Sequence, residues 1–393
     1  MAPRRELNNI ECLGGAVVGR WAYVHAYDKC KKKTAKEIVR ELMLHANHPQ
    51  DDATSRKFMK RYILGRLVYG MYDRFKRARK YEEWWTEVHY DLWELDKVLT
   101  KEELNKYATA VEYEHKNKYF GVFRRNNVFP LAEFPDWVVA IRGTHLLSST
   151  DLKNDLAIVL ETLKSSKLIK ILKVVVRRLG KDYKYCNVNV TGHSLGAAAG
   201  LLVCRRLALK GCLVEGHFFN PPFVALESLA RTCAHAVKHA LMRVFPADGE
   251  KLYERLKNAA WGASSTAFQA VVEPDGKKKA LAEFARLAKV NWSPYLYVNK
   301  YDVICKTFLS HFTVAMHGSI DEDRKMWYST VTEFSKWFLG KTESFHLLPS
   351  AHLVVIETFE ERPYRAHKLW NWMVDPQLPY EFKQAKLIPS PHT

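Results

Sequence analysis

The chain has no apolar run near the roughly 18 residues that cross a membrane. Its best candidate, Leu13 to Val24, is interrupted by Arg20. That argues against a spanning helix. It has no C-x-x-C pair, and its seven cysteines (Cys12, Cys30, Cys186, Cys204, Cys212, Cys233, Cys305) are odd in number and scattered. Such spacing excludes a zinc ribbon and a disulfide framework and fits reduced thiols inside a cell. No internal repeat, low-complexity segment or flexible linker is present, which excludes solenoid and fibrous architectures. The opening Met1-Ala-Pro-Arg-Arg-Glu lacks the long apolar stretch and cleavage site of a secretory signal, so a cytoplasmic location is expected.

Acidic residues are also scarce. Asp and Glu number 43 against 61 Lys and Arg, a net charge of +18. The basic residues cluster at Lys29 with Lys31 to Lys33, at Arg74 to Lys80, and at Lys277 to Lys279. Such a field attracts anionic surfaces without sequence specificity. No zinc finger, RNP-like aromatic motif or basic zipper accompanies it, so nucleic acid is not an expected partner. The expectation is solvated charged faces that permit peripheral contact with an anionic membrane.

What the chain does have is ample core material, 47% hydrophobic residues over 393 positions. Asp52 or Thr54 caps a helix through Lys80, with Phe58, Tyr62, Ile63, Leu67, Val68, Met71 and Phe75 on one stripe. Thr100 heads a short helix with Glu103 at the capping-box position. Ala108 to Tyr113 and Lys118 to Phe123 read as a strand pair. Pro135 to Thr144 reads as a buried strand ending in a glycine turn. Leu152 to Leu179 reads as a helix, apolar on one side and carrying Lys167, Lys170, Lys173 and Arg177 on the other. Strands follow at Leu213 to Phe219, Tyr295 to Asn299 and, last, Ser350 to Thr358, with a helical insertion over 223–290. Strands alternating with helices predict an α/β fold, a mostly parallel sheet covered on both faces.

The most informative stretch is Asn187-Val-Asn-Val-Thr-Gly192-His193-Ser194-Leu195-Gly196-Ala-Ala-Ala-Gly200. It reads as strand, G-x-S-x-G turn and small-residue helix, the nucleophile elbow of an α/β-hydrolase. Ser194 must sit in a strained turn that exposes its hydroxyl, and Gly192 and Gly196 leave the space that side chains would fill. The following helix points its positive end at the site.

A serine nucleophile needs an acid and a base, in the chain order Ser, Asp or Glu, His. Asp302 follows the strand Tyr295 to Asn299, where the acid belongs. The histidines beyond it are His311, His317, His346, His352, His367 and His392. His367 fits a loop beyond the last strand. His352, at the start of that strand, and His346, before it, are the alternatives. The backbone N–H groups of Leu195 and Thr144 are the expected oxyanion donors. Asp151 and Asp155 read as helix N-terminal residues.

Together these residues resemble the class 3 lipases, the fungal-lipase-like branch of the α/β-hydrolases. Ala140-Ile-Arg-Gly-Thr144 resembles that family's F-R-G-[ST] oxyanion motif. Thr191-Gly-His-Ser-Leu-Gly196 matches its G-H-S-L-G elbow. Asn299-Lys-Tyr-Asp302-Val303 resembles its N-x-x-D-x-V acid motif, and Ala366-His367 with Trp370 its D-H-x-x-[YW] base motif. Phe219-Asn-Pro-Pro-Phe223 and His346-Leu-Leu-Pro-Ser-Ala351 resemble a plant subgroup often labelled GDSL esterase/lipase. The resemblance implies an α/β-hydrolase domain over 105–375, with the insertion 223–290 as a cap. A mainly helical extension, 1–104, precedes it and a tail, 376–393, follows. It implies a serine carboxylic-ester hydrolase acting on acyl esters or lipids, through Ser194, Asp302 and His367, with no metal or organic cofactor. The alternative is a lipase-like binding or signalling protein with weak turnover. Two departures stand out: the stretch Leu146 to Asp155 carries no aromatic residue for a lid, and alanine precedes His367 instead of aspartate.

Overall fold

The computed structural model describes Glu37, Arg40 and residues 53–76, 84–126, 134–143, 167–222, 274–290, 292–302, 305, 348–356, 363–373 and 380–386. Within them the helices are α1 (Ala53–Lys76), α2 (Leu95–Val98), α3 (Lys101–Lys106), α4 (Ala108–Asn117), α5 (Lys167–Tyr183), α6 (Leu195–Ala208), α7 (Pro274–Lys289) and α8 (Pro363–Ala366). The strands are β1 (Tyr90–Trp93), β2 (Phe120–Arg125), β3 (Trp137–Ile141), β4 (Val188–His193), β5 (Glu215–Phe219), β6 (Tyr295–Asn299), β7 (Ser350–Ile356) and β8 (Tyr380–Lys386). They form one eight-stranded sheet in sequence order. The steps from β3 to β7 are parallel, and β1, β2 and β8 pair antiparallel at the two edges. The mixed α/β reading with a parallel centre holds.

Strand alternation divides the core into two layers. Val139, Ile141, Val190, Leu296, Val298, Leu353 and Val355 face α5, α6 and α7. Val138, Ala140, Phe219, Tyr297, Val354 and Ile356 face α1. Successive side chains on a strand point to opposite sides, so one apolar run serves both layers. Helix α1 fills its layer with Phe58, Met59, Tyr62, Ile63, Leu67, Val68 and Met71, all buried. Each such side chain contributes roughly 1.5–3 kcal/mol of transfer free energy. The N-terminal helix is thus one of the layers that cover the sheet. Helix α5 buries Leu168, Ile169, Leu172, Val175 and Val176 and exposes Lys167, Lys170 and Arg177, as its periodicity requires. The capping box at Thr100 and Glu103 forms. Residues 152–166 of the expected helix lie outside the described residues.

Several elements differ from the sequence reading. Ala108 to Tyr113 is helical, the first part of α4. Ala110 and Glu114 are buried four residues apart, a helical spacing. The Glu114 carboxylate accepts from the amides of Tyr119 and Phe120, at 3.1 and 3.0 Å, and so turns the chain into β2. Lys118 makes that turn in the left-handed conformation, φ 48°. Strand β1 lies within the stretch read as a helical extension, and β8 lies within the stretch read as a tail. Ser350–Ile356 is therefore not the last strand. Of the insertion 223–290, α7 is not a cap. Its Phe284 and Leu287 pack into the α5–α6 layer, and its Glu283 pairs with the buried Arg205 at 3.0 Å. Residues 223–273 lie outside the described residues.

Glu114→Ala strips two buried amides of their acceptor, and urea denaturation should show stability lowered by about 1–3 kcal/mol.

Candidate active site

The site is assembled where the parallel strands end. Strand β4 runs into the elbow, and Ser194 takes φ 56° and ψ −126° before α6 begins at Leu195. A non-glycine residue in that region is strained, and surrounding structure has to hold it there. The Ser194 amide donates to the Phe219 carbonyl at 3.0 Å, which ties the turn to the end of β5. The Ser194 hydroxyl makes no helix-capping hydrogen bond. The glycines show why the turn closes. A Cβ on Gly192 would stand 2.5 Å from the Gly196 carbonyl oxygen, and one on Gly196 would strike the carbonyl of Ile141 at the end of β3. The Leu195 amide, at the first position of α6, has no acceptor within its own helix.

Asp302 lies just past β6 and is fully buried. His367 follows α8, and its Nδ1–H donates to Asp302 Oδ2 at 2.7 Å. The proton is therefore on Nδ1, and Nε2 carries a lone pair. That Nε2 is buried and has no hydrogen-bond partner among the described residues. The ring of His367 sits beside the elbow, 4.9 Å from the ring of His193. Ser194, Leu195, Asp302 and His367 are thus gathered at one end of the sheet. Thr144 and His346 lie outside the described residues. His352 is at the other end. It pairs with Tyr295 at the start of β6 and stacks on that ring at 4.5 Å.

The backbone ahead of His367 is clamped. The Ala366 carbonyl accepts from the side-chain amides of Asn299 at 3.0 Å, Asn371 at 3.3 Å and Asn220 at 3.4 Å. Trp372 Nε1–H in turn donates to Asn220 Oδ1 at 3.0 Å. The ends of β5 and β6 therefore grip the loop that carries the histidine.

A second network reaches in from α1. The Gly143 amide donates to the Tyr72 hydroxyl at 2.8 Å, and that hydroxyl donates to His193 Nδ1 at 2.7 Å. His193 Nε2–H donates to the His367 carbonyl at 2.8 Å. The carbonyl can only accept, so the tautomer of His193 and the direction of the chain are set. Burial pushes the His193 pKa down to about 3, and the neighbouring His367 adds to the shift. His193 is therefore neutral beside the His367 imidazole. Arg142, buried and stacked on Tyr119 at 4.6 Å, donates to the Gly143 carbonyl at 3.0 Å. Tyr72, the clamp asparagines and Arg142 carry no motif as a group. Arg142, Asn220 and Asn299 each fell within a motif read from the sequence, whereas Tyr72 and Asn371 did not.

Comparison with known proteins bears on the elbow and the strands around it. Residues 138–248, from β3 past the elbow to beyond β5, match the family model described as Lipase (class 3). A protein from Arabidopsis thaliana named GDSL esterase/lipase is 26% identical over 246 residues, 61% of this chain and 66% of that protein. The chain thus spans just under two thirds of that relative's length. No solved structure matches.

Tyr72→Phe leaves the Gly143 amide and His193 Nδ1 without their partner. Urea denaturation should show a loss of about 1–3 kcal/mol. His193→Phe added to it should cost less than the sum of the two single changes, a coupling of about 0.5–3 kcal/mol. Strict additivity would mean that the two side chains act separately. The matched segment and the similar plant protein support a likeness to the class 3 lipases, carried by residues 138–248 around the elbow.

Proposed function

We propose that this chain is a serine carboxylic-ester hydrolase acting on acyl esters or lipids. The observation that carries the reading is the His367 Nδ1–H bond to buried Asp302, with Nε2 free of a hydrogen-bond partner among the described residues and the ring packed on His193 of the elbow. In this mechanism Ser194 Oγ attacks the ester carbonyl carbon as His367 Nε2 takes its proton. Asp302 orients the ring and stabilises the imidazolium. The oxyanion is held by the Leu195 N–H and the Thr144 N–H, which shares its peptide unit with the Gly143 carbonyl bound by Arg142. Collapse expels the alcohol, which receives the proton from His367. Water, activated by the same imidazole, then hydrolyses the acyl-enzyme. No step calls for a metal or organic cofactor.

The class 3 match and the esterase/lipase name of the plant relative support hydrolysis of an ester. The stretch after β3 lacks aromatic residues, which favours dispersed esters over oil droplets as substrates. Exposed Lys167, Lys170, Arg177 and Lys181 on α5 would give a weak, salt-sensitive attraction to anionic membrane surfaces.

Hydrolysis of p-nitrophenyl esters of short and long acyl chains tests the reading. Wild type should turn over, and Ser194→Ala and His367→Ala should each lose about 10⁴ to 10⁶ in kcat. Wild type inert at every chain length would favour a lipase-like binding or signalling protein instead.

A further inference from the structure

Two donors converge on one oxygen of the acid. His367 Nδ1 approaches Asp302 Oδ2 to 2.7 Å, and the Cys305 Sγ approaches the same oxygen to 3.0 Å. Cys305 and Asp302 are both fully buried. The thiol's other polar neighbours, the Asn299 carbonyl and Asn220 Oδ1, are each 3.9 Å away. A thiol carries one hydrogen, so its S–H is directed at the near, charged oxygen.

We propose that Cys305 is a positioning residue that sets the basicity of Asp302, and through it that of His367, by supplying a weak hydrogen bond to the shared oxygen. The proposal rests on the hydrolase reading above. A donor to a carboxylate stabilises its charge and reduces its hold on the imidazolium. A hydroxyl or amide at this place would do so strongly. A thiol does so weakly, because S–H is a poor donor. It therefore locates the carboxylate while leaving most of the negative charge of Oδ2 for His367. Burial, and then the charge of Asp302, push the thiol well above its ordinary range. Cys305 stays protonated and acts as a donor, not as a nucleophile.

The other titratable groups around the pair are few among the described residues. His193 faces His367 from the elbow and is neutral, with Tyr72 of α1 behind it. Arg365 and Lys368 flank His367 on its own loop and are exposed. The acidic limb of the pH–rate profile therefore reports the Asp302–His367 pair.

The test is the pH dependence of kcat/KM for p-nitrophenyl butyrate, in wild type, Cys305→Ser and Cys305→Ala. Serine, the stronger donor, should move the apparent pKa of the acidic limb down. Alanine, with no donor, should move it up. Shifts of about half a unit are expected, roughly threefold in kcat/KM at a fixed pH on that limb. The low-field proton resonance of His367 Nδ1–H should move in opposite directions in the two variants. Thermal melts establish that both are folded, and the resonance reports the hydrogen bond even where turnover is weak. Shifts in the same direction, or none, would reduce Cys305 to packing and overturn the proposal. If Ser194→Ala keeps wild-type activity, the hydrolase reading fails instead, and the resonance alone then decides whether Cys305 acts on the pair.

Discussion

One backbone carbonyl, that of Ala366, ties the loop that carries His367 to the body of the protein. The histidine of such a site cannot lie on a strand, because it must reach across the elbow from a loop, and a loop left to itself moves. Here Asn220, at the end of β5, Asn299, at the end of β6, and Asn371, beyond the histidine, all point an amide at that carbonyl. Asn220 does so from a left-handed backbone, φ 44°, a conformation asparagine tolerates better than most residues. The same strand ends carry Asp302 and brace the elbow, so Ser194, Asp302 and His367 share one frame. Placement within a fraction of an ångström is what makes such a constellation chemically useful.

The site is also economical in charge. Asp302 is buried, His367 lends it a hydrogen bond, and His193 is held neutral by its burial and its partners. A protonated His193 would oppose the charge that His367 acquires in the proposed mechanism. The hydroxyl of Tyr72 and the carbonyl of His367 occupy both ring nitrogens of His193, which leaves it no low-cost way to take a proton. Burial of the His193 ring is tolerable here because both of its nitrogens are satisfied by specific partners.

Much of this was legible in the sequence, and the reasons are physical. Ser194, Leu195, Asp302 and His367 are singled out from the chain alone because a sharp turn demands glycines and partners for a serine are sought after later strands, and the fold brings these residues to one end of the sheet. Apolar alternation exposed β3 to β7 because both their faces are buried. The edges were harder. Tyr380–Lys386 carries Glu381, Lys383 and Lys386 and lacks the apolar run of a central strand. Ala108 to Tyr113 satisfies a strand period and a helix period alike, and Glu114 together with packing on α5 decides for the helix. Tyr72 had no signal at all. It is 121 residues from His193 and looks like any half-buried tyrosine on an amphipathic helix. Cys305 read as one scattered thiol among seven, because only the folded chain brings it to Asp302.

The central claim is that this frame activates Ser194. Mass spectrometry after treatment with a fluorophosphonate tests it most directly, since only an activated serine attacks such a phosphorus centre readily. The account predicts a single adduct, located on the peptide that contains Ser194 and absent from chain denatured before treatment. An unlabelled protein, or an adduct on another residue, would contradict it.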